Sequence, residues 1–505
     1  MAGPARPRSW QWPAGTGPAG RAGSRPAQRP ARPVTWQQYE ALLDSFTDRH
    51  GGRHLEQLSW VWRGPLDLHR FTASWQSVVD RETILRTGCA LRPAPHLLLH
   101  ARARADVVRH RAGSTGWPEL LEADRRRGFD LARPAPLRLT LLDAPGAGAG
   151  PATRVLLTFH HALLDAWSAL LLQQEFTRAY LAGGALPGGE RRPDLGDWTC
   201  WLERQDPSAA RAYWSGAAAP GRMALLPAVP GPNTGQSGNG RTETVLSRAE
   251  AGRLHRWAAA QAVSDSGVLH AVWALLLHRA TTAGTPTTVR FAVTATGRGI
   301  ALDAAERLVG PLRTLLPLTV RITPAHRLGR LLAALRDRAL DMAAYEWASI
   351  GQVQQWAGHA RTARVADSLV CLETLPRRPA ALRAGLAAAG IRFEQQHTGG
   401  AHTGFPLALL ARPGADGSLT LAVLHDRARI GDGDAGRLLA HCLRLLRHLP
   451  DTRPQATVAD VLAVLGTEEV PRAAPAHRPP PPPARRLARP STHGPASIEG
   501  GPSER

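Results

Sequence analysis

Lysine is missing from this chain of 505 residues, and every one of its 62 basic positions is arginine. Against 41 acidic residues that leaves a net charge of +21, a balance that would ordinarily point to a nucleic-acid partner. The pattern argues otherwise. No helical stretch carries a basic stripe interleaved with aromatics, and much of the excess sits near the chain ends. Wholesale arginine beside abundant Ala, Gly and Pro reads as a coding bias rather than as selection for phosphate contacts. What survives is the expectation of a basic surface that steers an acidic protein partner from a distance.

Cysteine is scarce as well. Cys89, Cys200, Cys371 and Cys442 are scattered without paired spacing, which excludes a disulfide framework or a zinc ribbon and fits a reducing cytoplasm. No apolar run approaches the roughly 18 residues of a membrane-crossing helix, so a soluble protein is expected. Residues 1–33 contain no acid and are rich in Pro, Gly, Ala and Arg. They read as a disordered tail; proline and glycine break the amphipathic helix of a transit peptide, and a signal-peptide apolar core is lacking. Residues 466–505, with the run Pro479 to Pro483, read as a second tail. A single core stops growing at about 250 to 300 residues, so the stretch 34–465 is expected to fold as two units.

Within that stretch helix and strand signals alternate. Asp67 is placed to cap a helix whose apolar face is Leu68, Phe71, Trp75, Val78 and Val79. Arg154 to Phe159 reads as a buried strand, and Ala166 to Tyr180 as a helix with apolar residues at i, i+3 and i+4. After the Gly/Ser/Asn-rich stretch from Pro227 to Gly240, read as a long loop, the pattern predicts a strand over 242–246, helices over 249–263 and 268–279, and a strand over 289–295. That is a second α/β unit. Thr296-Gly297-Arg298-Gly299 lacks the spacing of a phosphate-binding loop and reads as a strand-end turn.

The most informative tract is Phe159-His160-His161-Ala162-Leu163-Leu164-Asp165-Ala166-Trp167-Ser168, where a buried strand hands over to a helix. Successive side chains on an extended segment point to opposite faces. One imidazole can therefore face a cavity while its neighbour faces the core. The same opposition keeps His160 and His161 from converging with Asp165 on one metal ion, and no further ligand cluster lies nearby.

The tract resembles the HHxxxDG motif of condensation domains of nonribosomal peptide synthetases and related acyltransferases. Other stretches resemble that family's motifs in the family's order: Val34-Thr35-Trp36-Gln37-Gln38, Arg81-Glu82-Thr83-Ile84-Leu85-Arg86-Thr87, Phe129-Asp130-Leu131 with Pro136-Leu137-Arg138, Asp197-Trp198-Thr199-Cys200-Trp201 with Gln205-Asp206-Pro207 and Tyr213-Trp214, Val309-Gly310-Pro311-Leu312-Arg313-Thr314-Leu315-Leu316-Pro317, and Asp367-Ser368-Leu369-Val370-Cys371-Leu372-Glu373. The resemblance covers about 430 residues. It implies an α/β fold of two lobes, each like chloramphenicol acetyltransferase, in a V-shaped pseudo-dimer with a tunnel between them. The expected division is 34–190 for the N-terminal lobe carrying the histidines and 191–465 for the C-terminal lobe.

The resemblance also implies the site. His161 would be the catalytic imidazole facing the tunnel, serving as base or hydrogen-bond partner, with His160 as its core-facing support. Asp165 would be a structural ion-pair partner, expected of Arg81, while Arg86 holds the same region together. Ala166, Trp167, Ser168, Arg313 and Ser368 would lie along the substrate channel. Trp201 and Trp214 would pack between the lobes. Two positions depart from the motifs. Ala166 stands at the motif's glycine, and Arg313 stands at the usual asparagine, where its guanidinium could bind a substrate carboxylate or occlude the channel.

The implied function is a free-standing, cytoplasmic, monomeric condensation enzyme of nonribosomal peptide biosynthesis. It would join a carrier-bound acyl group to an amine or hydroxyl, with no bound cofactor and no metal. Its partners would be peptidyl or acyl carrier proteins in trans, presenting substrates as phosphopantetheinyl thioesters, and neither nucleic acid nor membrane. Two alternatives stand beside it: an ester-forming or tailoring acyltransferase with a soluble acceptor, and a catalytically silent domain that recruits a carrier or partner enzyme.

Overall fold

The computed structural model describes residues 32–47, 54–90, 95–144, 151–188, 191–218, 234–281, 285–359, 365–373, 375–399 and 404–466. The expected tails, and the loop from Pro227 as far as residue 233, lie outside the described residues except for Arg32, Pro33 and Gly466.

Two sheets organise the rest. The first has five strands in the order Arg392–Gly399, Leu55–Arg63, Ala152–His160, Leu137–Ala144 and Asp106–His110, antiparallel except for the last pair. Its strand Leu55–Arg63 alternates in burial from Leu58 to Arg63, as a strand with one buried face should, while Gln57 before it is buried on the other face. On that face Leu58, Trp60 and Trp62 are buried beneath two helices, Leu68–Arg81 and Ala166–Leu181. Trp62 meets Phe71 and Tyr180 edge-on at 6.0 and 5.0 Å, and Trp75 stacks on Phe176 at 4.9 Å. Such aromatic pairs add about 0.5 to 1.5 kcal/mol each beyond the area they bury.

The expected cap is present, since Asp67 accepts a hydrogen bond from Arg70 N at 3.0 Å. Phe71, Trp75, Val78 and Val79 of that helix are buried as the spacing predicts. Leu68 differs and is 37% exposed, because the first turn projects past the rim of the core.

The second sheet has six strands in the order Thr314–Ile322, Thr287–Ala295, Ser368–Leu372, Leu407–Pro413, Leu419–Asp426 and Asn239–Leu246. Val289, Phe291 and Val293 pack with Val268, Val272 and Trp273 of the helix Asp265–Arg279 in a separate core. The opposite face of this sheet carries smaller side chains, among them Ala292, Cys371, Ala408 and Ala422.

The cores do not divide at one point of the chain. Leu195 and Trp198 pack into the first core, whereas Ala210 and Trp214, a few residues on, pack into the second. Trp214 is therefore a core residue of the second unit and not a packing residue between units. Leu308, Val309 and Leu312 return to the first core, and Arg392–Gly399 adds an edge strand to the first sheet. The two units are laced together by these crossings.

Candidate active site at the histidine strand

The histidine strand, Ala152–His160, runs antiparallel to Leu55–Arg63, with His160 opposite Leu55 and Phe159 opposite Glu56. The backbone leaves the ladder at His161, whose N–H donates to His54 O at 2.8 Å. It turns through Ala162, Leu163 and Leu164, all fully buried, and enters the helix Ala166–Leu181 with Asp165 as its cap. A carboxylate is at home there because the first turn of a helix leaves N–H groups without partners.

The two imidazoles face opposite ways. His160 is 5% exposed. Its Nδ1 accepts from Ala162 N at 3.2 Å, so the proton is on Nε2, which lies 3.2 Å from Ser45 Oγ and donates to it. Burial, with His54 and His161 nearby, pushes its pKa down to about 3. It is a neutral structural support.

The His161 side chain keeps 36% of its surface open. Its Nδ1 lies 3.1 Å from Oε1 of Glu56, a residue on the neighbouring strand and on the same face, an ion-pair contact that is not aligned as a hydrogen bond. Burial acts to lower the His161 pKa, but the Glu56 charge, with Asp165 behind it, outweighs burial and the opposing Arg313, and the net direction is upward. The Glu56 carboxyl is held below its ordinary range, since His161 and Arg313 together overcome its desolvation. With Nδ1 turned to Glu56, Nε2 is the nitrogen left for a substrate.

Sequence reasoning missed Glu56. A signal existed in its position: residues 56, 58, 60 and 62 share one face of the strand, and Glu56 is the acid that begins an otherwise apolar row of Leu58, Trp60 and Trp62.

Asp165 is 1% exposed and pairs with Arg298, not with Arg81. Arg298 Nη1 donates to Oδ2 at 2.8 Å and Nη2 to Oδ1 at 3.1 Å, a two-pronged clamp. Ser168 adds its N–H at 2.8 Å and its hydroxyl at 2.7 Å, and the N–H groups of Leu312 and Arg313 each donate at 3.2 Å. Despite desolvation, these partners hold the Asp165 pKa down to about 2. The carboxylate ties a helix of the first unit to two segments of the second.

Arg298 arrives from the strand-end turn at 296–299. Gly297 sits there at φ +66°, and a Cβ on it would lie 1.9 Å from Leu312 O. Only glycine fits, and the close approach it permits aims Arg298 at Asp165. Arg81 instead bonds Glu175 at 3.3 Å. Glu175 is ten residues along the helix from Asp165, about 15 Å at the helical rise, so one arginine cannot serve both. Arg86 does hold its neighbourhood, donating to His100 O and Ala101 O.

The expected channel residues separate. Ser168 is fully buried and accepts from Gly310 N at 3.0 Å, so it belongs to the Asp165 network and lines no passage. Ser368 is 1% exposed and accepts from Trp273 Nε1 at 3.0 Å, on the helix-covered side of the second sheet, which removes it from a channel too. Ala166 and Trp167 are half-buried, and Trp167 donates to Glu306 O at 2.8 Å with Arg298 over its ring. Trp201 donates to Ala301 O and bridges the two units.

Arg313 is half-buried. Its charge lies among Cys371, Glu56, Asp165 and Glu373, which together outweigh desolvation and raise its pKa. It lines a cavity of about 280 Å³ with Thr294, Thr296, His270, Met342 and Glu346. His161 is not among the residues that wall this cavity. Among the described residues no group of three or more His, Cys, Asp and Glu is placed to hold a metal ion.

Comparison with known proteins identifies the arrangement. The family model described as "Condensation domain" matches residues 34–467. A linear gramicidin synthase of Brevibacillus parabrevis is 26% identical over 456 residues, covering 86% of this chain and 6% of that protein. Chondramide synthase cmdD of Chondromyces crocatus is 29% identical over 420 residues, covering 79% and 10%. The chain thus spans a tenth or less of these relatives. Among solved structures, the condensation domain from the monacolin K polyketide synthase MokA superposes with TM-score 0.72 at 15% identity, covering 86% of this chain and all of that one. The X-domain from teicoplanin biosynthesis gives 0.66 at 19%, covering 87% and 98%.

Proposed function

The chain belongs to the condensation-domain family, and we propose that it forms an amide bond between a carrier-bound acyl thioester and an amine, with His161 as its catalytic residue. The observation that carries this reading is the Glu56–His161 pair at the end of the histidine strand, half-open to solvent and flanked by a sealed ion pair.

The acceptor amine attacks the donor carbonyl carbon. A C–N bond forms, the C–S bond breaks, and the pantetheine thiol departs with a proton. The nitrogen must lose a proton along the way, and Nε2 of His161 is the group available to take it or to hydrogen-bond the attacking nitrogen. Glu56, with its carboxylate 3.1 Å from Nδ1, stabilises the imidazolium that results by its charge. Arg313, carrying a positive charge beside the pair, is placed to favour an anionic group on the substrate. The thioester already activates the donor carbonyl, so the step asks only for the amine to be positioned and its proton removed.

A purified donor-loaded carrier and an acceptor-loaded carrier, supplied as separate proteins, test the reading. His161→Ala should lower the rate of product formation, followed by mass spectrometry, by about 10² to 10⁴-fold at an unchanged melting temperature. Undiminished product would remove His161 from the chemistry. A hydroxyl acceptor in the same assay separates ester from amide formation, and tight carrier binding without turnover on any loaded pair would favour a recruiting role.

A further inference from the structure

A second cavity, of about 230 Å³, lies between the helix Ala166–Leu181 and the segment that leaves the second sheet to cross to the first. Leu170, Gln173 and Gln174 wall it from the helix, Leu375, Pro376 and Arg378 from the crossing segment, and Arg412 from the strand Leu407–Pro413. Gln173 is eight residues past Asp165, about 12 Å along the helix axis. The cavity is thus apart from the histidine.

Its polar wall is unbalanced. Gln173 is 1% exposed; its Oε1 accepts from Arg378 Nη2 at 2.9 Å, which leaves Nε2 buried and without an acceptor among the described residues. Arg378 Nε is likewise buried without an acceptor. Its guanidinium lies over the Phe393 ring at 4.6 Å and has no carboxylate partner among the described residues. Arg412 Nε is 3.0 Å from Glu373 Oε2, yet neither atom is aligned into a hydrogen bond. Arg412 is therefore offset by an acid and Arg378 is not. Burial and the nearby Arg383 charge both disfavour the charged Arg378, and buried donors left unpaired are unfavourable. A surplus of donors and one uncompensated positive charge around a space this size is the complement of an oxyanion.

We propose that this cavity binds an oxyanion, a phosphate or carboxylate group carried by a ligand of the enzyme. The group accepts from Arg378, Arg412 and Gln173 Nε2 and neutralises the charge that the fold leaves open. The proposal goes beyond the condensation reading and does not need it, because binding is measured without turnover.

The test is calorimetric titration of the full chain with four probes at matched ionic strength: inorganic phosphate, 4′-phosphopantetheine, pantetheine and succinate. Phosphopantetheine binding at least tenfold tighter than pantetheine would assign the site to a phosphate on the carrier arm. Succinate binding tighter than phosphate would assign it to a substrate carboxylate. In either case Arg378→Gln should reduce the affinity tenfold or more. Gln174→Glu, which places a carboxylate in the cavity wall, should abolish binding while leaving or raising the melting temperature, and it decides the matter if Arg378→Gln fails to fold. Equal affinity in both variants and the parent chain would overturn the proposal, as would four probes that bind no better than chloride.

Discussion

Asp165 and Glu56 are both carboxylates held by a cationic partner at the junction of the two units, yet their surroundings set them to different work. Asp165 is sealed, clamped by Arg298 from across the junction and saturated with N–H and O–H donors. Glu56 and His161 keep 23% and 36% of their side chains open, and the Glu56 charge raises the pKa of the imidazole against its burial. A pair with every lone pair used is a fastener. A pair with one nitrogen unspent is available for chemistry. Three residues of turn, Ala162 to Leu164, separate His161 from Asp165, so a defect in the fastener would be felt at the open pair.

The comparison breaks most sharply at the fastener. Asp165→Asn should destabilise the fold by about 3 to 5 kcal/mol, because Arg298 is left buried with its charge uncompensated; urea denaturation measures this, and a loss below about 1 kcal/mol would show that the clamp is dispensable. Adding Arg298→Met should recover part of the loss, since the second change removes the stranded charge.

Next in size is a pH effect at the silent histidine. His160 has a folded pKa depressed to about 3, so its contribution is complete above the ordinary 6.5 and erodes as pH falls from there towards 3, by up to about 1.4 kcal/mol per pH unit. At pH 5 the parent should have lost about 2 kcal/mol by this route. His160→Asn, which can keep both hydrogen bonds, should flatten the stability profile over that window; equal slopes for the two proteins would contradict the assignment of a neutral ring.

A smaller change should sharpen the contrast at the open pair. Glu56→Gln should lower kcat/KM by about tenfold at its plateau, close to 1.4 kcal/mol. The sign of the pH effect follows from the raised His161 pKa. The neutral, proton-accepting ring predominates only above that pKa, so the acidic limb of the parent profile should lie above 6.5 and move to lower pH in the variant. A variant that loses activity with an unmoved limb would make Glu56 a packing residue only.

The smallest effect is expected of Arg81→Gln. Arg81 is partly exposed, and Glu175 keeps Arg178 at 2.8 Å and Arg192 at 3.2 Å. A cost of at most about 1 kcal/mol in thermal denaturation is expected. A cost as large as that of Asp165→Asn would restore Arg81 to the role of Asp165's partner.

How much was legible depends on whether the deciding partner is near in sequence. The opposition of His160 and His161 follows from strand periodicity, and Asp165 and Asp67 are recognisable as caps from their place before an apolar helical pattern. The partners of Asp165 and His161 are not recognisable in that way. Arg298 reaches Asp165 because Gly297 lets the turn press against Leu312, and Glu56 meets His161 through cross-strand register. The assignment of Ser368 to a channel failed for a related reason: alternate residues of a strand face opposite sides, and which side the helices cover is settled by the sheet.

The sequence by itself determined the α/β character, the family motifs and their order, the capped helices and the opposed imidazoles, all of which rest on interactions within a few residues. Only the tertiary structure decided which arginine clamps Asp165, which acid holds His161, where the chain crosses between the cores, and that Arg378 has no carboxylate partner among the described residues. Those outcomes depend on the distance between groups far apart in the chain, and electrostatic and hydrogen-bonding energies fall away within a few ångströms of contact. Local pattern carries no record of such distances until the two sheets are packed.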